Sequence, residues 1–480
     1  MKLLAVPRRR SGRRSLPTDA PRPRSGSGEG HRRSRWRGEG KDRRVPGNQR
    51  AATRFAAVFF ALSLGASATA QAVTLDCGRL LDIKSGQWRE KIAVLVIGGR
   101  IVSVEAQAEP ATGEHVDLNA YACLPGLIDS HVHLTMETAP EALSLRSTLS
   151  DNDADIALQS VGRAERTLLA GFTSVRDLGG ADNINISLKK AINSGQVRGP
   201  RVYTAGKFVA STGGHGDQTN SFKQKFMDAL GEPGPGDGVV NSAEDARKAV
   251  RQHYKDGADL IKITATGGVL SLASSGQNAQ FTDEELKAIV STARDYGFKV
   301  AAHAHGTEGI KRALRAGVDS IEHGTYMDDE AIALFKSGNA WYVPTISAGK
   351  FVAAKALLPD YYPAIVRPKA AAIGPKIQAT FARAYKAGVR IAFGTDAGVF
   401  PHGDNAQEFG YMVDAGMPAL DAIRSATLSA ADLLGKNDLG VVEQGYLADI
   451  IAVEGNPLKD VSVLNNVKFV MKDGVVYKRP

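Results

Sequence analysis

One short pattern recurs through the middle of the chain: a helix-like stretch closes on glycine and a brief apolar run follows. It reads Ala170-Gly-Phe-Thr-Ser-Val-Arg, Asp256-Gly-Ala-Asp-Leu-Ile-Lys, Tyr296-Gly-Phe-Lys-Val-Ala-Ala, Ala316-Gly-Val-Asp-Ser-Ile-Glu, Ser337-Gly-Asn-Ala-Trp-Tyr-Val and Ala387-Gly-Val-Arg-Ile-Ala-Phe. Glycine after a helix supplies the left-handed residue that satisfies the last carbonyls. Helix starts are legible too, as capping boxes at Thr282 with Glu285 and, in an acidic variant, Ser242 with Asp245. Adding strands around Ile128 and Arg201-Val-Tyr-Thr-Ala-Gly206 gives eight strands alternating with helices. That count predicts an α/β chain built as a (β/α)8 TIM barrel. A doubly wound open sheet is the competitor, but no Gly-x-Gly-x-x-Gly turn follows a strand.

The flanks read differently. Val73–Cys77, Ile92–Ile97 and Arg100–Val104 are short β-rich runs, with Gly98-Gly99 as a hairpin turn, and Asp449–Val453, Val467–Met471 and Val475–Tyr477 repeat that style. The expectation is a small β-sandwich domain made from residues 73–127 and 440–480, around a barrel of residues 128–439. The two cysteines, Cys77 and Cys123, could pair in an oxidising compartment, but two buried thiols are the favoured reading, because a chain of this size needs no staple.

The net charge of +9 misleads, since residues 1–50 hold 16 Lys+Arg against 4 Asp+Glu, leaving 44 basic and 47 acidic residues in the remainder. The remainder carries no electrostatic footprint for nucleic acid. Residues 1–49, rich in Arg, Gly, Ser and Pro, read as a disordered basic leader. An upstream start codon accounts for it better than an RNA-binding tail, because a secretory signal follows at residues 50–70. Arg50 and Arg54 precede the apolar run Phe55–Leu64, and small residues end at Ala68-Thr-Ala70. The run is too short to span a membrane. These features predict a periplasmic or secreted protein, with no membrane attachment once the signal is removed.

The chemistry sits where the barrel strands end. His131 and His133 lie at i and i+2, so a strand projects both imidazoles from one face. Strand four carries Lys262, strand five His303 and His305, strand six ends in His323 and strand eight in Asp396. Counting His215 and His402, seven of the ten histidines fall at or just past strand ends. By alternation Lys262 points into the barrel, where burial near cations favours the neutral amine. Such an amine can take up carbon dioxide as a carbamate, an anionic oxygen ligand. The alternative is a lysine paired with a carboxylate such as Asp396 or Glu322.

This set resembles the amidohydrolase superfamily over roughly residues 73–480. The resemblance implies His131, His133 and Asp396 on a buried divalent metal, His303 and His323 on an exposed one, and N-carboxylated Lys262 bridging the two. Zinc is the expected ion. Mononuclear deaminases of the superfamily carry an acid or amide shortly after the strand-five histidine and lack the lysine. Here Gly306 stands there and Lys262 is present, which favours the binuclear branch. Ile261-Lys-Ile-Thr-Ala-Thr-Gly-Gly268, Ala302-His-Ala-His-Gly306 and Ile321-Glu-His-Gly-Thr325 look most similar to the Xaa-Pro dipeptidase and imidazolonepropionase-related hydrolases. Within these they resemble secreted bacterial carboxypeptidase-type enzymes, some of which cleave the amide of ochratoxin A. The resemblance also implies a homo-oligomer.

The expected reaction is hydrolysis of the amide of a dipeptide or N-acyl amino acid by a metal-bridging hydroxide, with Asp396 as proton shuttle. His215 and His305 are candidates for hydrogen-bonding the oxyanion or holding substrate, or else for supporting the ligands from behind. Tyr326 and His402 are weaker candidates for substrate contact. The rival activity is opening of a cyclic amide such as an imidazolone or hydantoin. A non-catalytic scaffold is disfavoured because all six ligand positions are filled.

Overall fold

Residues 72–107, 113–180 and 182–480 are described by the computed structural model; the basic leader and the signal segment lie outside the described residues. Both ends of the described chain enter one mixed sheet of seven strands. Its order is Val475–Lys478, Val467–Lys472, Ile450–Val453, Glu114–Pro125, Ala72–Asp82, Gln87–Ile97 and Arg100–Ala106. The 12-residue strand Glu114–Pro125 makes this possible. It pairs parallel with Ala72–Asp82 along one edge and antiparallel with Ile450–Val453 along the other. A sandwich of two sheets was expected; hydrogen bonding through this long central strand makes them one. Leu75, Val94, Leu118, Ile450, Phe469 and Met471 share its buried core.

Cys77 and Cys123 are bonded to each other, which corrects the reading of two free thiols. They lie on adjacent strands, the register slips between Cys77 and Arg79, and the Cα atoms are 6.0 Å apart, within bridging reach. The secretory signal allowed such a pair, and the strand register is what brings residues 46 apart in sequence together.

The middle of the chain is mixed α/β, with its principal parallel strands in two sheets and a third, two-stranded parallel pair at Ala210–Ser211 and Val239–Val240. Strands one to three are Leu127–Val132, Phe172–Asp177 and Arg201–Thr204; strands four to seven are Ile261–Thr264, Val300–Ala304, Ser320–His323 and Trp341–Val343. Single parallel bridges, Val209 to Ile263, Tyr342 to Ile391 and Val132 to Ala397, connect the two groups. The expected eighth strand, Ile391–Asp396, runs between its neighbours as an irregular segment. There Asp129 accepts hydrogen bonds from the Thr395 backbone N–H (3.1 Å) and hydroxyl (2.6 Å), so a side chain replaces part of the ladder. Gly394 is required in this segment, since a Cβ would stand 2.3 Å from Val343.

The helix signals hold in detail. Thr282 and Glu285 form a reciprocal capping box, whereas Ser242 accepts from Asp245 N–H but the Asp245 carboxylate turns to Asn241 N–H. Among the six repeat glycines, Gly338 remains helical and Asn339 takes the left-handed position at φ 56°, a conformation asparagine tolerates. Among the described residues no helix is long and apolar enough to cross a membrane.

Candidate active site and metal centre

Imidazoles from three different strands meet over the C-terminal ends of the parallel sheets. Alternation carries Asp129, His131 and His133 to one face, and Lys262 and Thr264 to another that looks into the same space. His323 breaks alternation. Glu322 already points inward, and a regular next residue would face the helices. Its φ of 72° swings His323 back over the cavity, and Asp396 does the same at φ 62°. Left-handed backbone at non-glycine residues costs about 1–3 kcal/mol and concentrates at functional sites.

The distances are short. His131 Nε2 lies 3.4 Å from His133 Nε2, 3.4 Å from Lys262 Nζ and 3.4 Å from Asp396 Oδ1, and His133 Nε2 is 3.3 Å from that same oxygen. The candidate ligand atoms of His131, His323 and Asp396 lie within 4.8 Å of one another, as do those of His303, His305 and His323. The far ring nitrogens are held from behind. His131 Nδ1 donates to Glu322 (2.9 Å), His133 Nδ1 donates to the Gly179 carbonyl (2.7 Å), and His323 Nδ1 pairs with Thr345 Oγ1 (2.7 Å). The carboxylate and the carbonyl can only accept, so they fix the tautomers of His131 and His133 and leave each Nε2 with a lone pair. His303 is turned the other way, its Nε2 donating to the Gly267 carbonyl (3.2 Å).

This arrangement fits divalent metal. Two imidazole lone pairs and a carboxylate oxygen face one another, and the buried Asp396 Oδ1 has no hydrogen-bond donor among the described residues. Without a cation that cluster is mutually repulsive; with one it is a ligand set of nitrogen and oxygen donors suited to zinc-type chemistry. The electrostatics agree. Desolvation, then the neighbouring Lys262, holds His131 well below the usual imidazole range, and desolvation does the same to His303 and His323. Desolvation brings Lys262 down to about 8, against the pull of Glu322 and Asp396.

A cavity of about 260 Å³ opens above the cluster. His215 and His305 line it, together with an apolar wall that includes Leu270, Val352, Ile373, Ile377 and Val399. His305 stands close enough to His303 and His323 to share a cation with them, beyond the role expected of it. Tyr326 and His402 do not line this cavity, which corrects their assignment to substrate contact. Tyr326 packs with the apolar cluster that includes the wall residues Val352 and Ile373. His402 is buried beneath strand one, its Nε2 3.2 Å from the carbonyls of His133 and Met136.

Sequence reasoning missed the supporting layer. Glu322 is fully buried and pairs with Arg176 (2.8 Å), which also donates to the Ser130 carbonyl and Ser320. Thr345, at φ 53°, orients His323, and Glu408 caps the helix Ile346–Lys355 by accepting from Ile346 N–H and Ser347 N–H. Glu322 had a signal, since an acid at an inward position of strand six needs a partner. The remaining contacts join segments far apart in sequence and left none.

Comparison with known proteins agrees with this geometry. The model of the Amidohydrolase family matches residues 122–477. A Xaa-Pro dipeptidase crystallised with methionine bound in its active site is 50% identical, with a TM-score of 0.81 over 85% of this chain and 100% of that one. A prolidase complexed with N-methylphosphonate-L-proline is 32% identical, with a TM-score of 0.76 over 85% and 100% of the two chains. Ochratoxinase of Aspergillus niger is 34% identical over 374 residues, covering 74% of this chain and 76% of that protein. With a ligand cluster in place and a family match spanning most of the described residues, the chain belongs to the amidohydrolase family.

Proposed function

We propose that this protein is a binuclear metal-dependent hydrolase that cleaves the amide bond of dipeptides and N-acyl amino acids carrying an apolar group. The observation that carries the reading is the convergence of His131, His133, Lys262, His303, His323 and Asp396 on the floor of an apolar-walled cavity. The similar dipeptidase with methionine in its active site, and the similar ochratoxinase, support a substrate that presents an apolar amino acid. On this reading the two parallel sheets are one closed (β/α)8 barrel, supported by the single bridges that link them.

His131, His133 and Asp396 would hold the buried cation, His303 and His323 the exposed one, and carboxylated Lys262 would bridge them. Divalent ions there, zinc in our reading, would supply Lewis acidity and would bring the pKa of water down to about 7. Asp396 takes the proton of the attacking water as the C–O bond forms. It returns that proton to the amide nitrogen as the C–N bond breaks, so a carboxylate and an amine leave. His215 donates a hydrogen bond to the carbonyl oxygen as charge develops on it. The wall of Leu270, Val352, Ile373 and Ile377 excludes water and takes the apolar group.

The signal-like segment supports a periplasmic or secreted location. Exposed leucines at 143, 145, 149 and 158, each 56–78% accessible, support self-association. The test of function is a panel of open-chain substrates given to metal-reconstituted protein: Xaa-Phe, Xaa-Met and Xaa-Pro dipeptides, N-acyl phenylalanine and ochratoxin A. Release of the free amino acid is expected. Turnover of imidazolones or hydantoins with none of the open-chain amides would replace this reading with the cyclic-amide one.

A further inference from the structure

His215 reaches the cavity on a loop after strand three, yet what fixes its ring comes from the excursion after strand four. That excursion is closed at its base by a bridge between Thr266 and Ala279, and Val269 and Leu270 from it line the cavity. Ser271 Oγ lies 2.5 Å from His215 Nδ1. The His215 ring packs so tightly on Gly268 that a Cβ there would stand 2.2–2.4 Å from three of its atoms. Gln280 accepts from the His215 backbone N–H at 2.8 Å. Lys369 donates to the carbonyls of Ser271 (2.6 Å) and Ala273 (2.7 Å), tying the excursion to the helix Arg367–Lys386, whose Ile373 and Ile377 form part of the apolar wall.

A neutral imidazole carries one N–H, and whichever nitrogen lacks it can only accept. The Ser271 hydroxyl has a single proton and, among the described residues, His215 Nδ1 is its one hydrogen-bond partner. If Nδ1–H donated to the hydroxyl, the serine proton would have no protein acceptor among the described residues. Donation from the serine satisfies both groups and places the imidazole proton on Nε2, which no protein group takes up among the described residues.

We propose that Ser271 is a positioning residue that locks His215 as its Nε2–H tautomer, so that the imidazole is a hydrogen-bond donor to the scissile carbonyl, and that Lys369 holds Ser271 in place. The proposal rests on the reading of His215 as the oxyanion donor, and it makes the excursion after strand four part of the catalytic apparatus as well as a wall.

The test pairs a spectroscopic readout with kinetics. Nitrogen-15 NMR of histidine-labelled, metal-free protein, with the signal assigned by its loss in His215→Gln, is expected to show His215 protonated at Nε2. Ser271→Ala should shift it toward a mixture with Nδ1–H. In metal-loaded protein Ser271→Ala should lower kcat by about 10–100-fold, approaching what loss of an oxyanion donor costs. KM should stay within about threefold and metal content should not change, while Ser271→Thr keeps the hydroxyl and retains most of kcat. Lys369→Met should fall in the same direction by a smaller factor. An Nδ1–H signal in the unmodified protein, or full turnover in Ser271→Ala beside an impaired His215→Ala, overturns the role of Ser271 alone. Full turnover in His215→Ala overturns the donor role on which it rests.

Discussion

The imidazoles of this site, and His402 buried outside its lining, are kept neutral. Desolvation depresses His215 to about 4, His305 to about 3 and His402 to about 4, whereas an unfolded histidine titrates near 6.5. Below that pH the unfolded chain therefore binds protons that the folded chain refuses. Stability from these groups is complete above about pH 6.5 and is lost as pH falls toward the folded values, by roughly 2 kcal/mol per residue at pH 5. The urea midpoint of metal-free protein is expected to drop clearly between pH 7 and pH 5; equal midpoints would show that these rings are not held neutral. Two substitutions test the chemistry itself. Asp396→Asn keeps the shape and removes the proton acceptor, so turnover should fall by at least about 100-fold, the lower end of what general acid–base groups contribute. Near-normal turnover would remove the shuttle role. Lys262→Ala should lose metal together with activity, and short carboxylic acids should restore part of both, because an added carboxylate can stand where the carbamate would. Metal analysis after dialysis, with and without propionate, reads this directly.

At the scale of elements, the candidate ligands come from four strands and, for Asp396, from an irregular segment, and the periodic strands were legible while the departures from periodicity were not. Alternation placed His131 with His133 and Lys262 inside. It could not place His323 or Asp396, which reach the cavity through left-handed backbone. Nor could it reveal that the supposed eighth strand yields part of its ladder to Asp129. Thr345 shows how such a local deviation is sustained: it bonds His323, and Glu408 on a separate helix anchors the two residues after it. Removing the Thr345 hydroxyl should weaken metal binding by about 10–100-fold, as outer partners of metal-bound histidines generally do. Competition with a fluorescent chelator measures it, and affinity unchanged in Thr345→Ala would mean that backbone alone orients His323. The apolar wall was also invisible in the sequence, since Val352, Ile373 and Ile377 come from two helices whose packing no local pattern encodes.

For the molecule as a whole, the sequence disclosed more of the catalytic half than of the terminal sheet. Helix-glycine-strand repeats mark their own boundaries, whereas β-rich ends show that strands exist without showing their partners. Hence one sheet replaced two, and the cysteines proved to be paired. The bridge closes a loop of 46 residues, which by chain entropy constrains the unfolded state by about 4 kcal/mol. Cys77→Ser with Cys123→Ser is expected to lower the melting temperature by several degrees and leave metal content unchanged, as differential scanning calorimetry and metal analysis will show. A melting point unmoved by the substitutions would indicate that the bridge is not formed. The central strand of that sheet, Glu114–Pro125, has a further consequence for how the protein comes into being. One of its flanks is bonded to Ile450–Val453, which lies beyond the whole catalytic half in the chain. Until that distant segment has been made, the strand waits with an open edge, so maturation of this hydrolase depends on two stretches from opposite sides of the catalytic half finding each other.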